Sequence, residues 1–361
     1  MNTEVFAPRI DDPVLITGGA GFIGTNLAAR LLDLGHEVIV FDNMSRRGVA
    51  ENLRWLSRRG GSRLRTCLAD TREARALHDA VQRAGSVFHF AAQVAVTSSL
   101  EDPLNDFEIN LRGTLNLLEA IRHARRRIPL VFTSTNKVYG GLPDIAMSTT
   151  ATRYQPEDDE VRRHGIDETR PLDFCSPYGC SKGAADQYIL DYARSFGIPA
   201  VVLRMSCIYG PHQCGNEDQG WVAHFLLRAM QGRPITIYGD GLQVRDILYV
   251  DDLVDALLMC GEDRESLRGR AFNMGGGPDN TISLQELLTE IAALHGRLPR
   301  VLREGWREAD QRWFVADTRR FGAATGWRPR VGAKEGIERL FRWLAQESAE
   351  EEIATVGAHA A

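Results

Sequence analysis

A glycine-rich turn near the start of the chain limits the folds that this sequence can adopt. An apolar run at residues 14–17 is followed by three glycines, each three positions apart, and then by a helix with an apolar inner face. Gly18 permits a tight turn, Gly21 lets the backbone approach a pyrophosphate, and Gly24 allows the helix to pack closely on the strand. The pattern predicts a strand–turn–helix unit that binds a dinucleotide.

The end of the second predicted strand indicates which dinucleotide binds. This strand covers residues 37–41 and ends in Asp42, about 20 residues after the turn, as the dinucleotide-binding fingerprint requires. A carboxylate there accepts hydrogen bonds from the adenosine ribose and repels a 2′-phosphate, so NAD is favoured over NADP. Arg46 and Arg47 follow closely and could pair with such a phosphate, which keeps NADP as an alternative.

The alternation of short apolar strands with helical segments continues along the chain. Further strands are predicted at residues 64–69, 87–90, 130–132 and 200–203. Such alternation predicts an α/β protein with a doubly wound parallel (Rossmann) sheet, in which ligands bind at the carboxyl ends of the strands. Asp42, Ala91 and Thr135 would therefore lie close together.

The β/α rhythm loosens after the sixth strand, which predicts a smaller C-terminal substrate domain interleaved with the first domain. The predicted NAD-binding domain covers residues 1–205, with later returns near 246–275. The predicted substrate domain covers residues 206–245 and 276–347, and a frayed tail covers residues 348–361.

Composition and charge exclude several classes of protein. A 43% hydrophobic and 25% charged chain with a net charge of −5 gives no reason to expect nucleic acid or a membrane as partner. The six cysteines include no C-x-x-C pair, which argues against a zinc site and fits a reducing compartment. No long apolar run or signal-peptide core is present, so we expect a cytoplasmic protein without a metal.

A tyrosine and a lysine four residues apart open a later helix. Tyr178 and Lys182 would lie on one helical face, roughly 6 Å apart. With a reference pKa of about 10, tyrosine is a poor base at neutral pH, but an adjacent cation favours the phenolate. Such a pair can act as a general base if a redox-active group lies beside it. In isolation such a motif is more often a surface tyrosine near a surface lysine. Here the predicted dinucleotide-binding fold supplies the redox-active group.

Together these motifs resemble the extended short-chain dehydrogenase/reductase superfamily of nucleotide-sugar enzymes. The resemblance covers nearly the whole chain, from Val14 to about Trp343. Within that superfamily, several runs are similar to those of CDP-tyvelose (CDP-paratose) 2-epimerases: residues 93–97, 135–140, 172–188, 218–222 and 243–248.

The resemblance implies roles for individual residues. It assigns Thr135, Tyr178 and Lys182 as the catalytic group. The implied cofactor-binding residues are Gly18, Gly21, Phe22, Ile23, Gly24, Asp42, Asn43, Asp70, Thr71, Ala91, Ala92 and Asn110, together with Tyr178 and Lys182. The implied substrate-binding residues are Gln93, Asn136, Arg204, Ser206, Arg245 and Arg307. Arginine suits a diphosphate because its planar fork meets two oxygens, although an ion pair is the alternative role for Arg245 and Arg307.

The implied function is NAD-dependent epimerisation of a nucleotide-activated hexose, by transient oxidation to a keto sugar, at C2 of a CDP-hexose. Related 4,6-dehydratases place an Asp–Glu pair directly after the threonine, and UDP-glucuronate decarboxylases place a Glu at the second of these positions. Here the two positions are Asn136 and Lys137, which favours epimerisation without elimination. A UDP-hexose 4-epimerase and a non-catalytic NAD-binding module are the alternatives. The resemblance also implies a homo-oligomer.

Overall fold

A computed structural model describes residues 10–263, 265–307 and 310–359 of the chain. Its strands are β1 (Val14–Thr17), β2 (Val38–Asp42), β3 (Leu64–Leu68), β4 (Ser86–His89), β5 (Leu130–Thr135), β6 (Met147–Thr149), β7 (Tyr154–Pro156), β8 (Ala200–Met205), β9 (Cys207–Tyr209), β10 (Ile235–Tyr238), β11 (Val244–Tyr249), β12 (Arg270–Met274), β13 (Thr281–Ser283), β14 (Val301–Glu304) and β15 (Trp313–Phe314).

The helices alternate with these strands through the first two thirds of the chain. They are α1 (Phe22–Asp33), α2 (Val49–Gly60), α3 (Ala74–Gln82), α4 (Val96–Glu101), α5 (Pro103–Phe107), α6 (Gly113–His123), α7 (Asp159–His164), α8 (Ser176–Ser195), α9 (Trp221–Met230), α10 (Val250–Glu262), α11 (Leu284–His295), α12 (Arg319–Thr325) and α13 (Ala333–His359). A π-helical turn, Glu108–Arg112, joins α5 to α6, and a 3-10 turn, Asn136–Tyr139, follows β5.

A seven-stranded parallel sheet forms the centre of the molecule, in the order β12-β8-β5-β4-β1-β2-β3. Successive side chains of a strand point to opposite faces, so Val14 and Ile16 pack with α1 and α10, whereas Leu15 packs with α3, α6 and α8. Helices thus cover both faces of the sheet. The prediction of a doubly wound Rossmann sheet is confirmed.

A smaller layer built mostly from the C-terminal part of the chain stands over the carboxyl ends of the central strands. In it, β11 pairs with β9, β13 and β15, and β10 pairs with β14. Its core lies among α9, α11 and α13. Strand β12 returns to the central sheet beside β8, as the interleaved arrangement requires.

The exact domain limits stay a prediction. Helix α13 includes residues 348–359 of the predicted tail, and residues 360 and 361, like residues 1–9, lie outside the described residues. Within the described ranges, none of the helices is both long enough and apolar enough to cross a lipid bilayer.

Candidate active site

A cavity of about 760 Å³ opens at the carboxyl ends of the central strands and extends to the smaller layer. Its lining includes the predicted catalytic group and these predicted cofactor residues: Gly18, Gly21, Phe22, Ile23, Gly24, Asp42, Asn43, Asp70, Thr71, Ala91 and Ala92. The substrate residues on its lining are Gln93, Asn136, Ser206, Arg245 and Arg307. The fold therefore brings most of the predicted site together.

The glycine turn forms one wall of this cavity and leaves no room for side chains where its backbone is packed. A Cβ atom at Gly18, whose φ is +67°, would lie 2.7 Å from the Ala91 nitrogen. A Cβ atom at Gly24 would lie 2.3 Å from the Gly18 carbonyl oxygen. At Gly21, by contrast, that carbonyl oxygen is the single described heavy atom near the Cβ position, at 3.1 Å. The open surface of the turn fits the close approach of a dinucleotide pyrophosphate.

Two acidic side chains stand at the ends of β2 and β3. Asp42 accepts hydrogen bonds from the backbone nitrogens of Ala20, at 3.1 Å, and Met44, at 2.9 Å, while burial raises the pKa of its carboxyl. Hydrogen bonds from Arg72 and Asn43 lower the pKa of Asp70 to about 2. Both carboxylates are held in place. Asp42 accepts two hydrogen bonds and keeps acceptor capacity that suits an adenosine ribose, whereas Asp70 accepts four from Asn43 and Arg72.

The predicted catalytic group converges where β5 meets the first turns of α8. Lys182 donates from Nζ to the Thr133 carbonyl oxygen at 2.7 Å, and Nζ lies 4.1 Å from the centre of the Phe132 ring. The Thr135 hydroxyl lowers the pKa of the Tyr178 phenol; it donates to Asn136 Oδ1 at 3.3 Å and accepts from the Lys137 nitrogen at 3.2 Å. The tyrosine and the lysine are 8% and 4% exposed, so neither is the surface group that an isolated motif suggests.

Burial dominates the electrostatics of this pair. It raises the pKa of Tyr178 to about 12, an effect that the Thr135 hydroxyl reduces only in part. It also lowers the pKa of Lys182 to about 7. Desolvation disfavours the charged form of both groups, so burial opposes the phenolate that the neighbouring cation is expected to favour.

Asn110 does not line the cavity as predicted for a cofactor-binding residue. Its Oδ1 accepts from the Gln93 nitrogen at 2.9 Å, and its Nδ2 donates to Asp106 Oδ1 at 3.1 Å and to Ser181 Oγ at 3.0 Å. It supports the cavity wall from behind. Sequence reasoning missed Asp106 and Ser181, and the available signals were an acid four residues before Asn110 and a hydroxyl beside Lys182.

Arg204 was expected to bind substrate, and the structure places it away from the cavity. Its Nε and Nη2 donate to the two carboxylate oxygens of Asp186 at 2.9 and 3.0 Å, and its Nη1 donates to the Tyr139 hydroxyl at 3.1 Å. All three side chains are buried. The geometry therefore gives Arg204 a structural role.

The other predicted substrate residues face the cavity with their own protein partners. Arg245 pairs with Asp310 at 2.7 Å, and Arg307 pairs with Asp218 at 3.2 Å. Arg307 also stacks over the ring of Tyr238, 3.8 Å from its centre.

The neutral groups among these residues are also hydrogen-bonded. The Asn136 amide donates to Gln311 Oε1 at 3.1 Å, and the Ser206 hydroxyl donates to Asp246. Asn136 and Ser206 thus keep fixed orientations at the cavity wall.

The segment at residues 211–220 ties the smaller layer to the dinucleotide side of the cavity. Asn26 donates to the Pro211 carbonyl oxygen at 2.9 Å, and Asn52 donates to that of His212 at 3.2 Å. At the other end of the segment, Arg46 donates to Gln219 Oε1 at 2.6 Å. Residues 211–220, which we call the rim, are therefore hydrogen-bonded to the elements around the cofactor-binding part of the cavity.

Comparison with known proteins agrees with this geometry. Residues 14–275 match the sequence profile described as the NAD dependent epimerase/dehydratase family. The chain belongs to this family. The motif-based resemblance, the enzyme class and NAD as the cofactor are thereby confirmed.

Individual relatives align over almost their whole length. The CDP-paratose 2-epimerase of Salmonella typhi is 44% identical over 339 residues, which cover 92% of this chain and 99% of that protein. The UDP-glucose 4-epimerase of Mycolicibacterium smegmatis is 32% identical over 335 residues, with 92% and 99% coverage. The crystal structure of the Thermus thermophilus UDP-glucose 4-epimerase in complex with NAD superposes with a TM-score of 0.76 at 35% identity, covering 91% of this chain and 98% of that one.

Proposed function

We propose that the protein is an NAD-dependent epimerase that inverts C2 of a CDP-hexose of the tyvelose/paratose type. The observation that carries this proposal is the 44% identity to a CDP-paratose 2-epimerase over 99% of that relative. The 4-epimerase of Mycolicibacterium smegmatis aligns over the same share of its length at 32% identity.

The loop after β5 supports epimerisation rather than loss of water. Elimination needs an acid and a base besides the tyrosine, and carboxylates would supply them directly after Thr135. Asn136 and Lys137 stand there instead, and both line the cavity. The site can move a proton at one hydroxyl without promoting departure of another.

In this proposal the glycine turn, Asp42 and Asp70 hold NAD. When bound, NAD would supply reversible hydride transfer at either face of the sugar carbon and a positive charge beside the phenol. Thr135 orients the reacting hydroxyl, and Tyr178 Oη takes its proton and later gives it back. Lys182 holds its Nζ between the Thr133 carbonyl and the Phe132 ring, where its protonated form would support the phenolate during turnover.

Arg245 and Arg307 would bind the nucleotide diphosphate. Each faces the cavity in an ion pair with an aspartate, Asp310 and Asp218 respectively. A diphosphate offers the guanidinium groups a more highly charged partner, so substrate binding would rearrange these pairs.

A UDP-hexose 4-epimerase is the second candidate, because the same three catalytic residues would serve it and 4-epimerases are among the aligned relatives. Purified NAD-loaded protein should be offered CDP-paratose, CDP-tyvelose and UDP-glucose separately, and the products analysed by NMR. We expect interconversion of the two CDP-sugars alone. Conversion of UDP-glucose to UDP-galactose without turnover of either CDP-sugar would favour the second candidate.

A matched variant separates catalysis from binding in the same experiment. Tyr178→Phe keeps the ring and removes the proton carrier, so it should retain NAD and lose turnover. Near-normal turnover in Tyr178→Phe would contradict the assigned proton transfer.

We also propose that the protein is a cytoplasmic homo-oligomer. The six cysteines are free thiols, in keeping with a reducing compartment. Leu100, Leu104 and Phe107 expose 44%, 70% and 39% of their surface on α4 and α5, an apolar area that a second copy could cover. Light scattering of the purified protein, with Leu104→Glu as a comparison, tests the oligomer: a monomeric wild-type protein would contradict it.

A further inference from the structure

The cavity continues past the arginines proposed to bind the diphosphate and into the smaller layer. Val222, Phe225 and Leu284 line it there, and they belong to the core of that layer or pack against it. A nucleotide sugar is a linear molecule, with the hexose at one end, the base at the other and the diphosphate between them. With the hexose at Tyr178 and the diphosphate at Arg307, the base would extend to this largely apolar end.

A carboxylate of the rim lies beside the predicted diphosphate position. Glu217 lines the cavity, and its Oε1 accepts from the Tyr238 hydroxyl at 3.0 Å. The ring of Tyr238 lies under Arg307, with Cζ of the arginine 3.8 Å from the ring centre. Arg307 Nη1 also donates to the Glu217 carbonyl oxygen at 3.1 Å. Tyr238 and Arg307 together fix the position of Glu217 relative to the diphosphate.

The Glu217 carboxylate is a hydrogen-bond acceptor with capacity for a ligand. Burial acts to raise its pKa, but the hydroxyls of Tyr238 and Thr236 and the charge of Arg307 outweigh burial, and its pKa is lowered overall. An ionised carboxylate donates no hydrogen bond and has about four acceptor positions, so its protein partners leave others open. A ligand group beside Glu217 must therefore be a donor.

We propose that Glu217 selects cytosine over uracil by accepting a hydrogen bond from the amino group of the cytosine ring. Cytosine carries this amino donor at C4, where uracil carries a carbonyl oxygen, and a carboxylate accepts from the first and repels the second. The inference rests on the proposed function, because a nucleotide sugar with its hexose at Tyr178 is what brings a base to this end of the cavity.

A ribose hydroxyl could also donate to Glu217, so contacts to the base and to the ribose have to be separated. CDP and UDP share the ribose and the diphosphate and differ in the base. The ratio of their dissociation constants therefore isolates the contact to the base.

The substitution Glu217→Gln reverses the hydrogen-bonding character of the side chain at constant length. Its amide oxygen can still accept from Tyr238, while its amide nitrogen can donate to the uracil carbonyl oxygen. Asp218→Asn is the matched control, because it removes a charge from the neighbouring position of the rim. Asp218 pairs with Arg307 at 3.2 Å, so this control acts on the diphosphate that CDP and UDP share.

The test is isothermal titration calorimetry of CDP and UDP with the NAD-loaded protein. We expect the wild-type protein to bind CDP about tenfold or more tightly than UDP, and Glu217→Gln to lower this preference about tenfold or more. Asp218→Asn should change the affinity for both nucleotides by the same factor. Thermal melting checks that each variant is folded. If Glu217→Gln is not folded, Glu217→Ala takes its place and should abolish the preference for CDP.

Three results would overturn the inference: a wild-type protein that binds UDP as tightly as CDP, an unchanged preference in Glu217→Gln, or an equal fall in the preference of Asp218→Asn. An equal loss of affinity for CDP and UDP in Glu217→Gln leaves the preference unchanged and would assign Glu217 to the ribose. Calorimetry needs no turnover, so failure of the proposed C2 epimerisation would appear separately, as unchanged CDP-paratose in the NMR assay of a protein that still prefers CDP.

Discussion

The buried pair of Arg204 and Asp186 provides a sharp test of how the site is assigned. Replacing Arg204 by methionine leaves the Asp186 carboxylate, which is fully buried, without its bidentate partner at 2.9 and 3.0 Å. Breaking a buried ion pair on one side typically costs about 3–5 kcal/mol of unfolding free energy, because the remaining charge stays desolvated. Since Arg204 does not line the cavity, the substrate KM of the folded variant should change little.

Urea denaturation measures the stability loss, and initial rates measure KM. Arg307→Met is the control, because its cavity-facing pair with Asp218 should contribute less than about 1 kcal/mol to stability. We expect the control to raise KM and keep stability, the reverse of Arg204→Met. A loss below about 1 kcal/mol in Arg204→Met together with a raised KM would refute the structural role and restore the sequence-based one.

Three further predictions concern the glycine turn, the rim and a buried acid. Gly24→Ala should cost about 1–3 kcal/mol of stability and reduce bound NAD, because the new Cβ would clash with the backbone of the turn. The control Gly141→Ala, whose Cβ would have no described atom within 4 Å, should change neither quantity. Bound NAD is quantified after gel filtration. Arg46→Ala removes the hydrogen bond to Gln219, worth about 1 kcal/mol, and should speed the exchange of bound NAD about fivefold. Exchange is measured with labelled NAD. An unchanged exchange rate would show that this hydrogen bond does not retain the cofactor. Burial raises the pKa of Asp246 from 3.8 to about 6, so the folded state binds the Asp246 proton more tightly than the unfolded state does. This proton stabilises the fold at low pH, and the stabilisation is lost as pH rises through 6. Asp246→Asn should therefore gain stability relative to wild type between pH 4 and 6, by up to about 3 kcal/mol in urea titrations, and a constant difference would contradict the assignment.

Local patterns were sufficient to predict the sheet and much of the cavity. The turn from Gly18 to Gly24 and the strand ends at Asp42 and Thr135 are set by short-range sequence, and the rule for parallel sheets brings their ends together. The four-residue spacing of Tyr178 and Lys182 places them on one helical face.

Features that depend on distant partners could not be predicted. Arg204 looks like a ligand-binding arginine in sequence, and its role depends on Asp186, a residue of another element. Asp106 reaches Ser181 across 75 positions of sequence. The high pKa of Tyr178 comes from burial, which is a property of the packed molecule rather than of the motif.

In the proposed reaction one carbon is oxidised and then reduced again within the same site. CDP-paratose carrying deuterium at C2 tests it most directly, with the CDP-tyvelose product analysed by mass spectrometry and NMR after reaction in ordinary water. We expect inversion at C2 with the deuterium retained there, because the hydride never leaves the enzyme. Loss of the label to solvent, or recovery of CDP-paratose unchanged, would contradict it.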